Sequence, residues 1–233
     1  RSVGLNYPTM AGLLALPSVG LLFAGEPERA YRAAYAAAFF DIGYAREATA
    51  LLAAGQAAAL AGTAPDLLVS EILALDPLRL GGVFGGPFVG QQLPLLLEKA
   101  EGKKGRELAE FLSLALRHFS VFDPYRALAI ACAALLAHAD DPWQALLVAA
   151  NQGDLDDQGK WRRYADIDCY AGITGALVGT CCGDEALPAE LIVQVVEGNF
   201  GARPLADGEE SNQRVVGCAR NLTCLFSVAT GLS

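Results

Sequence analysis

The distribution of alanine is the feature that most constrains how this chain can fold. Alanine is the commonest of the 233 residues, and it is concentrated in stretches that also hold leucine and few β-branched residues. Because alanine and leucine have high helix propensities, these stretches favour helices over strands. We therefore predict an all-α fold in which residues 1–233 form a single multi-helix domain.

Proline and aspartate mark where several of these helices begin. Proline suits the first turn of a helix, and an aspartate just before it can cap that turn. These signals, with the spacing of the apolar residues, predict six helices: Glu28–Phe40, Tyr44–Ala61, a helix capped by Thr63 or Asp66 and ending at Leu75, Arg106–His118, Pro124–Ala139 and Trp143–Ala150. The glycine-rich segment Gly81–Gly90 predicts a loop that either packs closely through its backbone or borders a ligand pocket.

The net charge and the length of the apolar runs each argue against one kind of partner. The chain carries 26 acidic and 17 basic residues, a formal charge of -9, so its summed field repels phosphate backbones and we expect no nucleic-acid partner. No apolar run approaches the roughly 20 residues that a spanning helix needs, so we expect no membrane partner. The sequence carries no signal for a partner protein.

The cysteines and the beginning of the chain bear on its compartment and completeness. None of the six cysteines has C-x-x-C spacing, so we predict reduced, mostly buried thiols. A zinc-thiolate protein, in which several of them converge despite their spacing, is a further hypothesis. The first residues lack the basic and apolar regions of a signal peptide, and we expect a cytoplasmic protein. Since the chain begins at Arg1 rather than Met, we expect it to be the C-terminal portion of a longer domain.

Aspartates are concentrated just before a helix of small residues. Asp166 and Asp168 stand at the entrance to this predicted helix, where an Asp-x-Asp pair can direct two carboxylates at one point. Hard cations such as Mg²⁺ and Mn²⁺ prefer such oxygen-rich sites. The alternative is that Asp168 is a helix N-cap and Asp166 a solvated surface acid.

The small residues of the same helix bear on that choice. Gly172, Gly175, Ala176 and Gly179 recur at helical spacing and predict a face that another helix approaches closely. Such a face places the helix in the interior. Carboxylates at the end of a buried helix are costly unless they are paired or bound to a metal, which favours the metal site.

Two long stretches of the chain carry a resemblance to a known family. DIDCYAGITGALVGTCCGDEALPAELIVQVVE, from Asp166 to Glu197, resembles the segment of ADP-ribosylglycohydrolases in which Asp-x-Asp-[Thr/Ser] enters a Gly/Ala-rich helix. NYPTMAGLLALPSVGLLFAGEPERAYRAA, from Asn6 to Ala34, is similar to the family's Asn-Gly-x-x-Met-Arg turn and the helix that follows it. The resemblance implies an all-α fold with a two-metal Mg²⁺ or Mn²⁺ centre that hydrolyses N- or O-glycosidic bonds of ADP-ribose.

The resemblance also implies roles for individual residues, although it assigns no catalytic residue. The implied metal ligands are Asp166, Asp168 and Cys169, and the implied substrate-binding residues are Asn6, Tyr7, Thr9, Met10 and Asp41. For Asp41 a surface position at the end of a helix is the alternative. The family run Asn-x-Gly-Gly-Asp-x-Asp also resembles residues 151–156, so Asp154 and Asp156 are alternative ligands. If Asp166 and Asp168 are the ligands, residues 154–163 are instead an insertion that could cover the pocket.

Several departures from the family pattern affect the expected activity. Cys169 offers a soft sulfur where the family has a hydroxyl oxygen, and the chain contains no Thr-Asp-Asp motif. Tyr7, Pro8 and Ala11 stand where glycine, a small residue and arginine are usual, so a diphosphate loses a backbone donor and a charge partner. We therefore expect hydrolysis of an ADP-ribosyl or related ribosyl compound, with a nucleoside-like substrate as one option. The alternative is a catalytically degenerate binding or structural protein with the same fold.

Overall fold

The structure is a computed structural model that describes residues 8–75, 88–156, 158–183, 186–190 and residue 193. Within these ranges it contains ten helices and one antiparallel pair of strands: α1 (Ala11–Ala15), α2 (Ser18–Leu21), α3 (Pro27–Ala37), α4 (Tyr44–Leu60), α5 (Pro65–Leu75), α6 (Phe88–Ala100), α7 (Gly105–Ala115), α8 (Pro124–Ala137), α9 (Pro142–Ala150), β1 (Gly153–Leu155), β2 (Trp161–Tyr164) and α10 (Ile167–Cys182). The prediction of an all-α fold is confirmed, with one small hairpin added to it. None of the described helices is both long and apolar enough to cross a membrane.

The helices begin where the local signals predict. Asp123 caps α8, because its Oδ1 accepts hydrogen bonds from the backbone N–H groups of Tyr125 at 2.9 Å and Arg126 at 3.3 Å. Asp141 caps α9 in the same way, accepting from Gln144 N at 3.2 Å. Proline occupies the first turn of both helices and of α3. All six predicted helices are present, with ends that differ by a few residues.

Two alanine-rich helices form the centre of the molecule. Every residue of α4 from Glu47 to Ala59 is buried, as is every residue of α8 from Pro124 to Leu135. α4 contacts α2, α3, α5, α8 and α10, and α8 contacts α9 and α10. Small side chains allow this close packing: a Cβ added to Gly20 of α2 would overlap the backbone of Ala53 in α4. The central helices therefore hold α1 and α10, which carry the candidate site, on one framework.

The hairpin is an element of the fold that was not predicted from the sequence. β1 and β2 pair antiparallel, with Asp154 opposite Arg163 and an irregularity between Asp154 and Leu155. Gln152, fully buried, ties the hairpin to α7: its Oε1 accepts from Ser113 Oγ at 3.0 Å, and Ser113 Oγ accepts from Gly153 N at 3.2 Å. The expected insertion at 154–163 thus packs beside α7 and α9, and none of its described residues lines the cavity described below.

The small-residue face of α10 is packed in part. α10 buries Tyr170, Ile173, Thr174, Leu177 and Val178 against the central helices. Within the predicted face, a Cβ built on Gly175 would meet Leu146 of α9 at 3.4 Å, and the Ala176 carbonyl oxygen accepts from Gln56 of α4 at 3.2 Å. Within the described ranges no atom of another element lies within 4 Å of a Cβ built on Gly172 or Gly179. The close helix contact is therefore found at the middle of the face and not at its two ends, while the larger apolar side chains, which gain more from burial, face the core.

Other predictions lie outside the described residues or are only partly met. Residues 76–87, which include most of the glycine-rich segment, lie outside, as do Asn6 and Tyr7. The four described cysteines are free, as predicted, but only Cys132 is buried; Cys169, Cys181 and Cys182 are half-buried. α6, which contains Pro94, was not predicted from the sequence.

Candidate metal centre and ligand cavity

The first turn of α10 brings three potential metal ligands together. Asp166 is the residue just before the helix, and Asp168 and Cys169 lie in its first turn. One ligand atom from each of these side chains lies within 4.8 Å of the other two. This is the one such cluster of histidine, cysteine and acidic residues among the residues that the structure describes. The three residues expected to bind metal are therefore close enough to share an ion.

The electrostatics of the cluster indicate crowded negative charge. Burial raises the pKa of Asp166, and the neighbouring Asp168 raises it further, although a hydrogen bond from the Cys169 thiol opposes the change. Burial and both aspartates raise the pKa of the Cys169 thiol to about 12. Cys169 is therefore a protonated thiol that donates to Asp166 near neutral pH, and the two carboxylates are the stronger candidate ligands.

The structure also bears on the alternative for the aspartate pair, in which Asp168 is a helix N-cap and Asp166 a solvated surface acid. Asp166 rather than Asp168 occupies the N-cap position, and its side chain makes no capping hydrogen bond. Asp168 is exposed and Asp166 half-buried, so the pair stands at the surface end of the helix rather than in the deep interior that the small-residue face predicted. Their carboxylates are accessible to an ion from solvent.

A cavity of about 490 Å³ opens beside this cluster. It is lined by residues from α1, from the segment preceding α8 and from the start of α10: Thr9, Met10, Ala11, Leu14, Phe122, Asp166 and Cys169. Two of the predicted substrate-binding residues, Thr9 and Met10, thus share a cavity with two of the predicted metal ligands. Segments more than 150 residues apart in the sequence meet here.

Three hydrogen bonds between distant segments fix the position of the cavity walls. Met10 N donates to the Phe122 carbonyl oxygen at 3.0 Å, which joins the start of α1 to the segment before α8. Tyr170 Oη donates to the Val121 carbonyl oxygen at 2.6 Å, which joins the same segment to α10. Tyr44 Oη donates to Asp123 Oδ2 at 2.7 Å, and this bond anchors the segment before α8 to α4. The cavity is therefore held by four helices, including the two central ones.

Asp41, the remaining predicted substrate-binding residue, lies beneath α1. Its side chain is buried, and Oδ2 accepts hydrogen bonds from Gly12 N at 3.1 Å and Thr49 Oγ1 at 3.4 Å. Burial raises its pKa to about 6, against the opposing effects of these two donors and of Arg46. Asp41 is not among the residues that line the cavity, and its contacts support the α1 turn.

The alternative ligands in the hairpin have other partners. Asp154 Oδ2 forms an exposed ion pair with Arg163 at 3.1 Å. Asp156 Oδ1 accepts from the backbone N–H groups of Gln158 at 2.9 Å and Lys160 at 2.8 Å. Both carboxylates are thus used to shape the hairpin turn, which favours Asp166 and Asp168 as the ligand pair.

Two lining residues carried no recognisable signal in the sequence. Leu14 and Phe122 are large apolar side chains that remain 44% and 48% exposed, and both line the cavity. Leu14 belongs to an unremarkable apolar run, and Phe122 precedes the Asp-Pro helix start. Only the folded arrangement shows that they face the same space as Asp166.

Comparison with known proteins assigns the chain to a family. Residues 6–217 match the family model described as ADP-ribosylglycohydrolase. Because the match covers most of the chain, this protein belongs to the ADP-ribosylglycohydrolase family, which is a family of glycosyl hydrolases with an all-α fold. Neither the curated proteins nor the solved structures contain a significant match to the chain.

Proposed function

We propose that this protein is a metal-dependent hydrolase that cleaves the glycosidic bond of an ADP-ribosyl or related ribosyl compound. The observation that carries the proposal is the position of Asp166, Asp168 and Cys169, whose ligand atoms lie within 4.8 Å of one another beside a ligand-sized cavity. Family membership supports the reaction class. The carboxylate pair supports the metal.

The donor set fits a hard divalent cation through its oxygens. Asp166 and Asp168 would hold Mg²⁺ or Mn²⁺, because both offer carboxylate oxygens and no cationic side chain among the described residues forms an ion pair with either. Cys169 fits less well, since its sulfur is soft and its pKa is raised to about 12. We therefore infer that one cation binds at the two aspartates and that Cys169 adds little to its affinity.

A bound cation would supply two chemical effects at this place: it orients the vicinal hydroxyls of a ribose and lowers the pKa of a water molecule. The protein's own residues do the rest. Thr9 and Met10 line the same cavity as Asp166 and would help to position the ribose there. In the reaction the bond from the anomeric carbon to the leaving group breaks, a water oxygen adds to that carbon, and a water proton goes to the leaving group.

Calorimetric titration of the metal-free chain with Mn²⁺ tests this proposal. We expect binding in the parent protein and a loss of at least tenfold in affinity in Asp168→Asn, which removes one charged ligand at similar size. Asp154→Asn is the matched control, because it removes an exposed aspartate of the hairpin, and we expect it to bind as the parent does.

Three outcomes would overturn the proposal. Equal Mn²⁺ affinity in Asp168→Asn and the parent would remove the aspartate pair as the ligands. Loss of binding in Asp154→Asn alone would move the site to the hairpin. Absence of Mn²⁺ binding in the parent would favour the alternative, a catalytically degenerate protein that keeps the fold of the family.

A further inference from the structure

The cavity beside Asp166 offers two kinds of lining residue to a ligand. Asp166 and Cys169 are polar, whereas Met10, Ala11, Leu14 and Phe122 are apolar. Leu14 and Phe122 keep nearly half of their surfaces exposed, at 44% and 48%. Large apolar side chains exposed inside a cavity, next to polar groups, are typical of ligand sites.

The same cavity offers little to a phosphate group. None of its described lining residues is arginine, lysine or histidine. Ala11 contributes only a methyl group. Among the described lining residues, a phosphate therefore finds no cationic side chain of the kind that such groups normally require.

Two backbone N–H groups of the α1 turn are also unavailable to a phosphate. Met10 N already donates to the Phe122 carbonyl oxygen at 3.0 Å. Gly12 N already donates to the buried Asp41 carboxylate at 3.1 Å. These two N–H groups are therefore used within the protein, and neither is available to a phosphate oxygen.

We propose that this cavity binds a nucleoside, with its ribose at the aspartate pair and its uncharged heteroaromatic ring against Phe122 and Leu14. An aromatic ring of the ligand can stack on Phe122, a contact that every nucleobase can make. The inference rests on the proposed function for the ribose position and narrows its substrate class: the preferred ligand carries no phosphate. A peptide or a phosphorylated ribosyl compound in the same cavity is the competing occupant.

Adenosine and AMP make a matched pair of probes, because they differ by one phosphate. Equilibrium dialysis of the 233-residue chain with each compound and with ADP-ribose, in the presence of Mn²⁺, compares their affinities. Chromatography of the recovered ligand identifies any cleaved compound, and only intact ligand enters the comparison. We expect adenosine to bind at least tenfold more tightly than AMP or ADP-ribose.

Variants connect the binding to the proposed surface. Phe122→Ala and Leu14→Ala should each weaken adenosine binding, the former by about tenfold. Phe39→Ala and Leu22→Ala are the matched controls, because these side chains are 73% and 47% exposed and do not line the cavity; they should bind adenosine as the parent does. Ala11→Arg, at an exposed position, should raise the affinity for AMP.

The outcomes separate this inference from the proposed function. Tighter binding of AMP or ADP-ribose than of adenosine, or adenosine binding that Phe122→Ala and Leu14→Ala leave unchanged, would overturn the inference while Mn²⁺ binding at Asp168 still supports the hydrolase. Mn²⁺ binding with no adenosine binding would do the same. Adenosine binding sensitive to Phe122→Ala in a chain that binds no Mn²⁺ would support the inference and overturn the metal-dependent reaction. A chain that binds neither would overturn both.

Discussion

Replacing Asp41 with asparagine tests how the α1 turn is held in place. The Asp41 side chain is only 5% exposed, and Oδ2 accepts from Gly12 N at 3.1 Å and from Thr49 Oγ1 at 3.4 Å. Burial raises its pKa from 3.8 to about 6, because the charged form loses more hydration than these donors and Arg46 replace. Asparagine keeps an acceptor for Gly12 and cannot ionise.

The sign and size of the effect follow from the raised pKa. Between the unfolded value of 3.8 and the folded value of about 6, the folded chain holds a proton that the unfolded chain has released. Asp41 therefore contributes most stability below the lower value, and this contribution is lost as the pH rises through the upper one. At 1.36 kcal/mol for each pKa unit, the loss approaches about 3 kcal/mol.

Urea unfolding followed by circular dichroism, at several pH values from about 4 to about 7.5, measures this effect. We expect the free energy of unfolding of Asp41→Asn, relative to the parent, to rise by about 2–3 kcal/mol across that range. Glu101→Gln removes an exposed acid and should show no such trend. A difference between Asp41→Asn and the parent that stays constant with pH would refute the raised pKa of the buried Asp41.

Three further substitutions test other contacts near the site. Tyr44→Phe removes the donor 2.7 Å from the buried Asp123, and urea unfolding should show a loss of about 1–3 kcal/mol; an unchanged midpoint would contradict the contact. In Gly12→Ala the added methyl group would overlap the Asp41 carboxylate, so the free energy of unfolding should fall by about 1–3 kcal/mol in the same assay. Gly172→Ala is the control, because the space around Gly172 is open and the substitution should not destabilise the protein. Cys169→Ser supplies the hydroxyl oxygen that hard cations prefer, so calorimetry should show Mn²⁺ binding about tenfold tighter; weaker binding would show that the sulfur is a ligand.

The helical elements were predictable because their signals are local. Asp123-Pro124 and Asp141-Pro142 cap their helices through bonds within the first turn, so a few residues suffice to place them. The hairpin was not predicted, because its strands span only 3 and 4 residues and it is anchored by the Gln152–Ser113 contact, which joins distant segments. Local sequence carries no record of such a contact.

The candidate site was predictable in part for the same reason. Asp166 and Asp168 lie within one turn, so their proximity follows from their spacing alone. The regular spacing of Gly172, Gly175, Ala176 and Gly179 predicted a packed face, and Gly175 and Ala176 do contact neighbouring helices. Spacing alone does not say which face of α10 turns toward the core, and the larger side chains take that position. Phe122 joins the site only through the tertiary fold.

Anomalous diffraction from Mn²⁺-soaked crystals tests the central claim most directly, because it locates the ion rather than only detecting it. The data are recorded at an X-ray wavelength at which manganese scatters anomalously. We expect an anomalous peak within about 2.5 Å of carboxylate oxygens of Asp166 and Asp168, and no peak there in crystals of Asp168→Asn. A peak at Asp154 and Asp156, or crystals soaked to saturation with no peak at α10, would contradict a metal centre at the start of this helix.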